Sequence, residues 1–170
     1  MSESSKTSRL TNNIRILVVD KDINLLEICH DVLEDEGYIV QTTSDIDELT
    51  LKLLREPPEV LLLDLEIPGI DSLAFFHMIQ QIALDCGIIG MSVDELPSSV
   101  EAVIQQKEIY DYLIKPFSTK QLKMGVCRCL RHLELVKREE EFDMRLGKVR
   151  NYLHNVADSL EKVSDDENCQ

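Results

Sequence analysis

Two stretches of this chain run through uninterrupted apolar residues and reach an aspartate, "RILVVD" at 15–20 and "EVLLLDL" at 59–65. A strand that is apolar at every position has no face to give to water, so it must be covered on both sides. "GIIGMS" (87–92) and "YDYLIK" (110–115) are shorter runs of the same sort, and "YIVQTT" (38–43) is a weaker one. Amphipathic stretches lie between them. Strand and helix alternating in this way predict a parallel sheet with helices on both faces, joined by right-handed crossovers.

The helices carry their own punctuation. In "DINLLEICHDVLEDEG" (22–37), Leu25, Ile28, Cys29, Val32 and Leu33 recur at helical spacing, and Gly37 supplies a stop. "SDIDELTLKLLREPP" (44–58) opens with Ser44 as cap and is closed by Pro57-Pro58. "DSLAFFHMIQQIA" (71–83) and "PSSVEAVIQQKE" (97–108) supply two more.

In sheets of this kind ligands bind beyond the carboxyl ends of the strands, near the point where strand order reverses. The residues there are Asp20 and Lys21, Asp64, Ser92 and Lys115. Two carboxylates delivered to one place raise each other's pKa unless a cation neutralises them. A hard divalent cation such as Mg²⁺, held by one or two carboxylates and substrate phosphate, answers that need. Lys115 can pair with an acid or a phosphate, and Ser92 offers a hydroxyl. Nucleophilic carboxylate, hydroxyl, lysine and metal make a phosphoryl-transfer site.

Composition narrows the classes. All of the net charge of −14 lies before Ser118, where 8 Lys+Arg face 22 Asp+Glu; from Ser118 onward the counts are 10 and 10. An acidic front part argues against nucleic acid as its partner, because phosphate contacts need a basic surface. No apolar run approaches the roughly 20 residues that span a bilayer, and residues 1–13 read as a disordered polar lead-in with no secretory signal. Five cysteines at irregular spacing fit a reducing compartment rather than a disulfide framework. The expected location is cytoplasmic. Cys127 and Cys129, two apart on a helix, point to different faces and read as apolar filler rather than a metal site.

With "ILVVDKD", "LLLDLEIPGIDSL", "IIGMS" and "DYLIKPF" in that order and at those separations, residues 14–130 resemble the receiver domain of two-component response regulators, the CheY-like superfamily. The resemblance implies a five-stranded doubly wound parallel sheet of flavodoxin-like order 2-1-3-4-5, followed here by a long C-terminal α-helix. It implies that Asp64 is the phospho-acceptor, taking its group from a histidine kinase or phosphotransfer protein, and that the domain is a signalling module rather than an enzyme. Ser92 matches the hydroxyl switch residue, Tyr112 the aromatic that moves with it, and Lys115 the lysine that pairs with the phosphoryl oxygen. Asp20, Asp64 and the backbone carbonyl of Glu66 match the Mg²⁺ ligands, and Lys115-Pro116 would be a cis peptide. Three positions depart from the pattern. Lys21 replaces the usual second metal-binding acid, Ser72 stands where glycine is frequent, and Val93 follows Ser92 where a small residue is commoner.

From Ser118, a cap, the pattern stays helical to about Val163. Apolar or Cys positions 122, 126, 129, 133 and 136 step by four and three, as do 142, 146, 149, 153, 156, 160 and 163. That spacing makes a coiled-coil seam, and 131–163 is expected to form a dimerisation helix continuous with the last receiver helix. "KREEE" (137–141) breaks the register between the two halves. His154 lacks the flanking residues of a phosphohistidine motif and reads as a position beside the seam. Residues 164–170 are expected to be a disordered tail.

The expected protein is thus a homodimeric receiver adaptor without DNA-binding output, binding neither nucleic acid nor membrane. The alternative is a phosphorylation-incompetent pseudo-receiver scaffold, in which Lys21 keeps Mg²⁺ away. A flavodoxin-like nucleotide-binding enzyme is disfavoured, since no glycine-rich phosphate loop follows the first strand.

Overall fold

The computed structural model describes residues 13–68, 73–93 and 109–167, with residue 73 and residues 158–167 described by backbone alone. Five strands form one parallel sheet: β1 (Arg15–Val19), β2 (Ile39–Thr43), β3 (Val60–Asp64), β4 (Gly87–Ser92) and β5 (Asp111–Ile114). Their order is β2-β1-β3-β4-β5, so the sequence reading of a doubly wound, flavodoxin-like sheet holds. Every residue of β3 and β4 is buried, as their unbroken apolar runs require, whereas the edge strands β2 and β5 are partly exposed.

Helix α1 (Ile23–Glu34) is capped by Asp22, whose carboxylate accepts from the N–H groups of Asn24 and Leu25. It ends in two reversed hydrogen bonds, Gly37 N–H to Glu34 O and Tyr38 N–H to Leu33 O, and closing this turn puts Gly37 at φ 89°. The buried stripe of α1 is Leu26, Cys29 and Leu33, which corrects the expected one by a residue: Ile28 is 52% exposed. Leu25 and Ile28 instead line a groove with Pro116, Phe117 and Leu122.

Helix α2 (Ile46–Arg55) corrects a second expectation. Its cap is Asp45 and not Ser44, because Thr43 Oγ1 takes the Asp45 N–H and closes a turn that defers helix entry by one residue. Helix α3 (Leu73–Ile82) contributes Phe76 and Ile79 to the core, with Leu49 and Leu53 from α2. The expected helix at 97–108 and Ser72 lie outside the described residues. Gly90 of β4 lies directly under Leu65: a Cβ there would stand 2.7 Å from Leu65 Cδ1.

The C-terminal helix α4 (Thr119–Glu167) begins with a capping box, in which Gln121 N–H donates to Ser118 Oγ and Gln121 Oε1 accepts from Ser118 N–H. Leu122, Val126 and Cys129 are buried against the sheet, and Gly125 faces Leu113 of β5. The first three positions of the expected seam therefore pack inside the receiver rather than between chains. The same four-three spacing serves either purpose, and here β5 lies within reach. The helix also runs to Glu167, past the expected end at Val163, because no Gly or Pro intervenes. The chain divides into two compact units between Arg131 and His132. In the second, Phe142, Leu146, Val149, Leu153 and Val156 are all exposed.

Candidate functional site: charge gathered at the strand ends

Parallel strands share one carboxyl edge, and the register sets what meets there. Val19 is level with Leu63, and Asp64 with Met91, so Asp20 and Asp64 leave neighbouring strands side by side. Lys115 leaves β5, its N–H bonded to Ser92 O at 2.7 Å, and its side chain turns inward. Its ammonium lies 2.6 Å from Asp20 Oδ2 and 3.1 Å from Asp64 Oδ1. Those two carboxylate oxygens can be no farther apart than the sum of these distances. The Lys115-Pro116 peptide is cis, as the resemblance implies.

Both carboxylates are deeply buried, Asp20 at 1% exposure and Asp64 at 4%. Burial works against the charge on Lys115, but hydrogen bonds and attraction from Asp20 and Asp64 outweigh it and raise its pKa above the ordinary lysine value. One cation thus serves two buried anions. Backbone amides help: Asp22 N–H donates to Asp20 Oδ1, and Glu66 N–H to Asp64 Oδ1. Cys29 lies close enough that Asp20's charge adds to burial in raising its thiol pKa to about 12.

Ser92 is 1% exposed, and its Oγ has no hydrogen-bond partner among the described residues. A buried hydroxyl left without a partner is costly. Ser92 ends β4, the strand paired with the one that carries Asp64. Tyr112 stands apart: it lies on β5 level with Gly90, is 40% exposed, and bonds through its backbone to Asp111. Lys21 is exposed and in no ion pair among the described residues, its long stem carrying the charge to solvent. Asp22 turns away to cap α1, so it does not restore the acid that Lys21 replaces.

Sequence reasoning assigned Glu66 a backbone role and missed its side chain. Glu66 Oε1 accepts from Val93 N–H at 2.9 Å, linking the ends of β3 and β4. Nothing in the sequence around Glu66 marks that reach, because it depends on register between strands 27 residues apart.

The donor set is entirely oxygen. Two buried carboxylates exceed the single lysine by one negative charge, which suits a hard divalent cation. Among the described residues no three His, Cys, Asp or Glu side chains cluster as a metal site of their own, so a carbonyl or substrate oxygen would have to complete the shell.

The model of the response regulator receiver domain matches residues 16–126. The chain belongs to that family. It is 30% identical over 130 residues to the alkaline phosphatase synthesis transcriptional regulatory protein PhoP of Bacillus subtilis, covering 76% of this chain and 53% of that one. The alginate biosynthesis transcriptional regulatory protein AlgB of Pseudomonas putida matches 89% of this chain at 29% identity, and 34% of its own length. This receiver chain spans about half the length of several curated relatives it matches. Among solved structures, a CheY-like receiver domain protein from Methanospirillum hungatei superposes with TM-score 0.65 at 21% identity, over 71% of this chain and 96% of that one. NtrX from Brucella abortus gives 0.67 at 24%, over 78% and 30%. Both structures share the fold. Receiver domains are signalling modules of two-component systems and generally bind Mg²⁺ at the phosphorylation site. Among the described residues no helix is long and apolar enough to cross a membrane.

Proposed function

We propose that this receiver accepts a phosphoryl group on Asp64 from a histidine kinase or phosphotransfer protein in the cytoplasm, and passes its state to the C-terminal helix. The observation that carries this reading is the buried Ser92 hydroxyl without a partner, beside a carboxylate held by one shared lysine. Asp64 is the nucleophile, oriented by Lys115 and the Glu66 N–H. Lys115 is placed to follow the new negative charge, and Ser92 Oγ to donate to it. Asp20, Asp64 and the Glu66 carbonyl would hold Mg²⁺, which when bound offsets the charge of the phosphoryl oxygens. Once modified, Asp64 carries about −1.5 to −2 charges, and drawing Ser92 and Lys115 toward it strains the β4–β5 edge on which Tyr112 lies.

The output we propose is pairing of α4 with a second copy through Phe142, Leu146, Val149, Leu153 and Val156. An amphipathic stripe this narrow cannot bury itself, and a two-stranded coil covers it. Neither nucleic acid nor a membrane is assigned as a partner of these residues.

The test is intact mass after incubation with a small phosphodonor, with and without Mg²⁺, using Asp64→Ala as control. A Mg²⁺-dependent gain of one phosphoryl group, absent from the variant, supports the reading. No gain from either the small donor or a phosphorylated kinase would leave the pseudo-receiver, held in one state by Lys21.

A further inference from the structure

An oxyanion attached to Asp64 needs donors, and the strand ends offer four: Ser92 Oγ, Lys115 Nζ, and the backbone N–H groups of Glu66 and Val93. Register puts them there. Asp64 is level with Met91 and Leu65 N–H bonds Met91 O at 2.9 Å, so Ser92 and Val93 run alongside Leu65 and Glu66. Three of the four donors are already engaged. Lys115 bridges Asp20 and Asp64, Glu66 N–H holds Asp64 Oδ1, and Val93 N–H is held by the Glu66 carboxylate itself. Only Ser92 Oγ, buried to 1%, waits without a partner.

We infer that the Glu66 carboxylate is a built-in occupant of the oxyanion seat, so that a phosphoryl group on Asp64 must displace it from Val93 N–H. Two physical effects follow from its position. A charged acceptor on a backbone amide makes one of the stronger hydrogen bonds, which arriving phosphoryl oxygens have to replace. Its negative charge also faces a group that brings nearly two more of the same sign. Glu66 is exposed on its outer side, so it can swing to solvent once displaced. It therefore sets how readily Asp64 is modified without taking part in the chemistry. Asp64 Oδ bonds to phosphorus as the bond from phosphorus to the donor breaks, the donor atom leaving with the electron pair. Glu66 only vacates the place the oxygens will fill.

This inference rests on the phosphoryl-acceptor reading of Asp64, and the experiment separates the two. Wild type, Glu66→Gln and Glu66→Ala are compared in Mg²⁺ with phosphoramidate, whose P–N bond breaks to release ammonia. Modification is followed by intact mass, and the Val93 amide by its ¹⁵N–¹H resonance. The expected result is a shifted Val93 amide in Glu66→Ala and modification about tenfold faster than in wild type, with Glu66→Gln between them. Equal rates in all three proteins overturn the inference while the acceptor reading stands. If none is modified by phosphoramidate or by a phosphorylated histidine kinase, beryllofluoride with Mg²⁺ decides. Binding that moves the Val93 amide in Glu66→Ala but not in wild type upholds the occupant and sinks phosphoryl transfer; no binding, or equal binding, sinks the occupant as well.

Discussion

Helix α4 carries the same four-three apolar spacing twice, with opposite outcomes. Near its start, Leu122, Val126 and Cys129 are at most 1% exposed, pressed on the sheet. Farther along, Leu146, Val149 and Leu153 are each more than half exposed. Spacing defines a stripe but not what covers it. The first stripe finds a partner in its own chain because β5 ends only a few residues earlier; the second meets nothing of its own unit among the described residues.

The largest effect should come from placing a charge on each stripe. Val126→Asp puts an unpaired carboxylate at a site with no exposure, which should cost about 4 kcal/mol or more and leave the receiver largely unfolded. Val149→Asp should change receiver unfolding by no more than about 0.5 kcal/mol. Urea denaturation of both, followed by circular dichroism, checks the contrast. Comparable losses in the two would mean that the second stripe is also buried in a single chain.

The strand-end charges obey the same rule in polar form: what is buried needs a partner. Lys115→Met leaves Asp20 and Asp64 buried together without a cation, a loss of about 3–5 kcal/mol by the general cost of breaking a buried pair. Asp64→Asn removes one of two like charges and leaves Lys115 to Asp20, so it should be close to neutral. Finding Lys115→Met as stable as wild type at neutral pH would show that the ammonium is not what holds the two acids.

For the exposed stripe, the expected effect is on association. Leu146→Asp with Leu153→Asp should weaken self-association at least about a hundredfold, or about 2.7 kcal/mol, with receiver unfolding unchanged. Sedimentation equilibrium reads this directly. A wild-type chain that stays monomeric at high concentration would assign the stripe to a different partner.

How far the sequence carries depends on whether a feature is local. Unbroken apolar runs announced β1, β3 and β4, because full burial has to be written residue by residue. Asp20, Asp64, Ser92 and Lys115 were legible as strand ends, since a parallel sheet gathers its carboxyl edge whatever the details. The capping role of Asp22 was not read from the sequence, although an acid just ahead of a helical pattern is a usual cap. Ser44 and Asp45 are both good caps, and only the Thr43 turn chooses between them. Glu66 was not legible: its side chain acts through Val93, and strand register decides that contact.

The smallest effect concerns the three thiols buried among the described residues, Cys29, Cys86 and Cys129. Burial pushes them up to about 12, from an ordinary value of 9.0. Above pH 9 the unfolded chain releases these protons while the native chain keeps them, so stability falls as pH rises from 9 toward 12. Lys115 adds to the fall in the same direction, since its raised pKa favours the native state below 10.5 and that advantage is lost as pH climbs through the folded value. Between pH 8 and pH 10, Cys129→Ala should lose about 1 kcal/mol less than wild type, whatever its stability at neutral pH. Cys127, exposed on the same helix only two residues away, is the internal control. A thiol reagent should modify Cys127 in the native protein while reaching Cys129 only as fast as the receiver opens. Equal labelling rates at the two positions would mean that the first stripe of α4 is not held on the sheet, and the contrast between the two halves of the helix would fail.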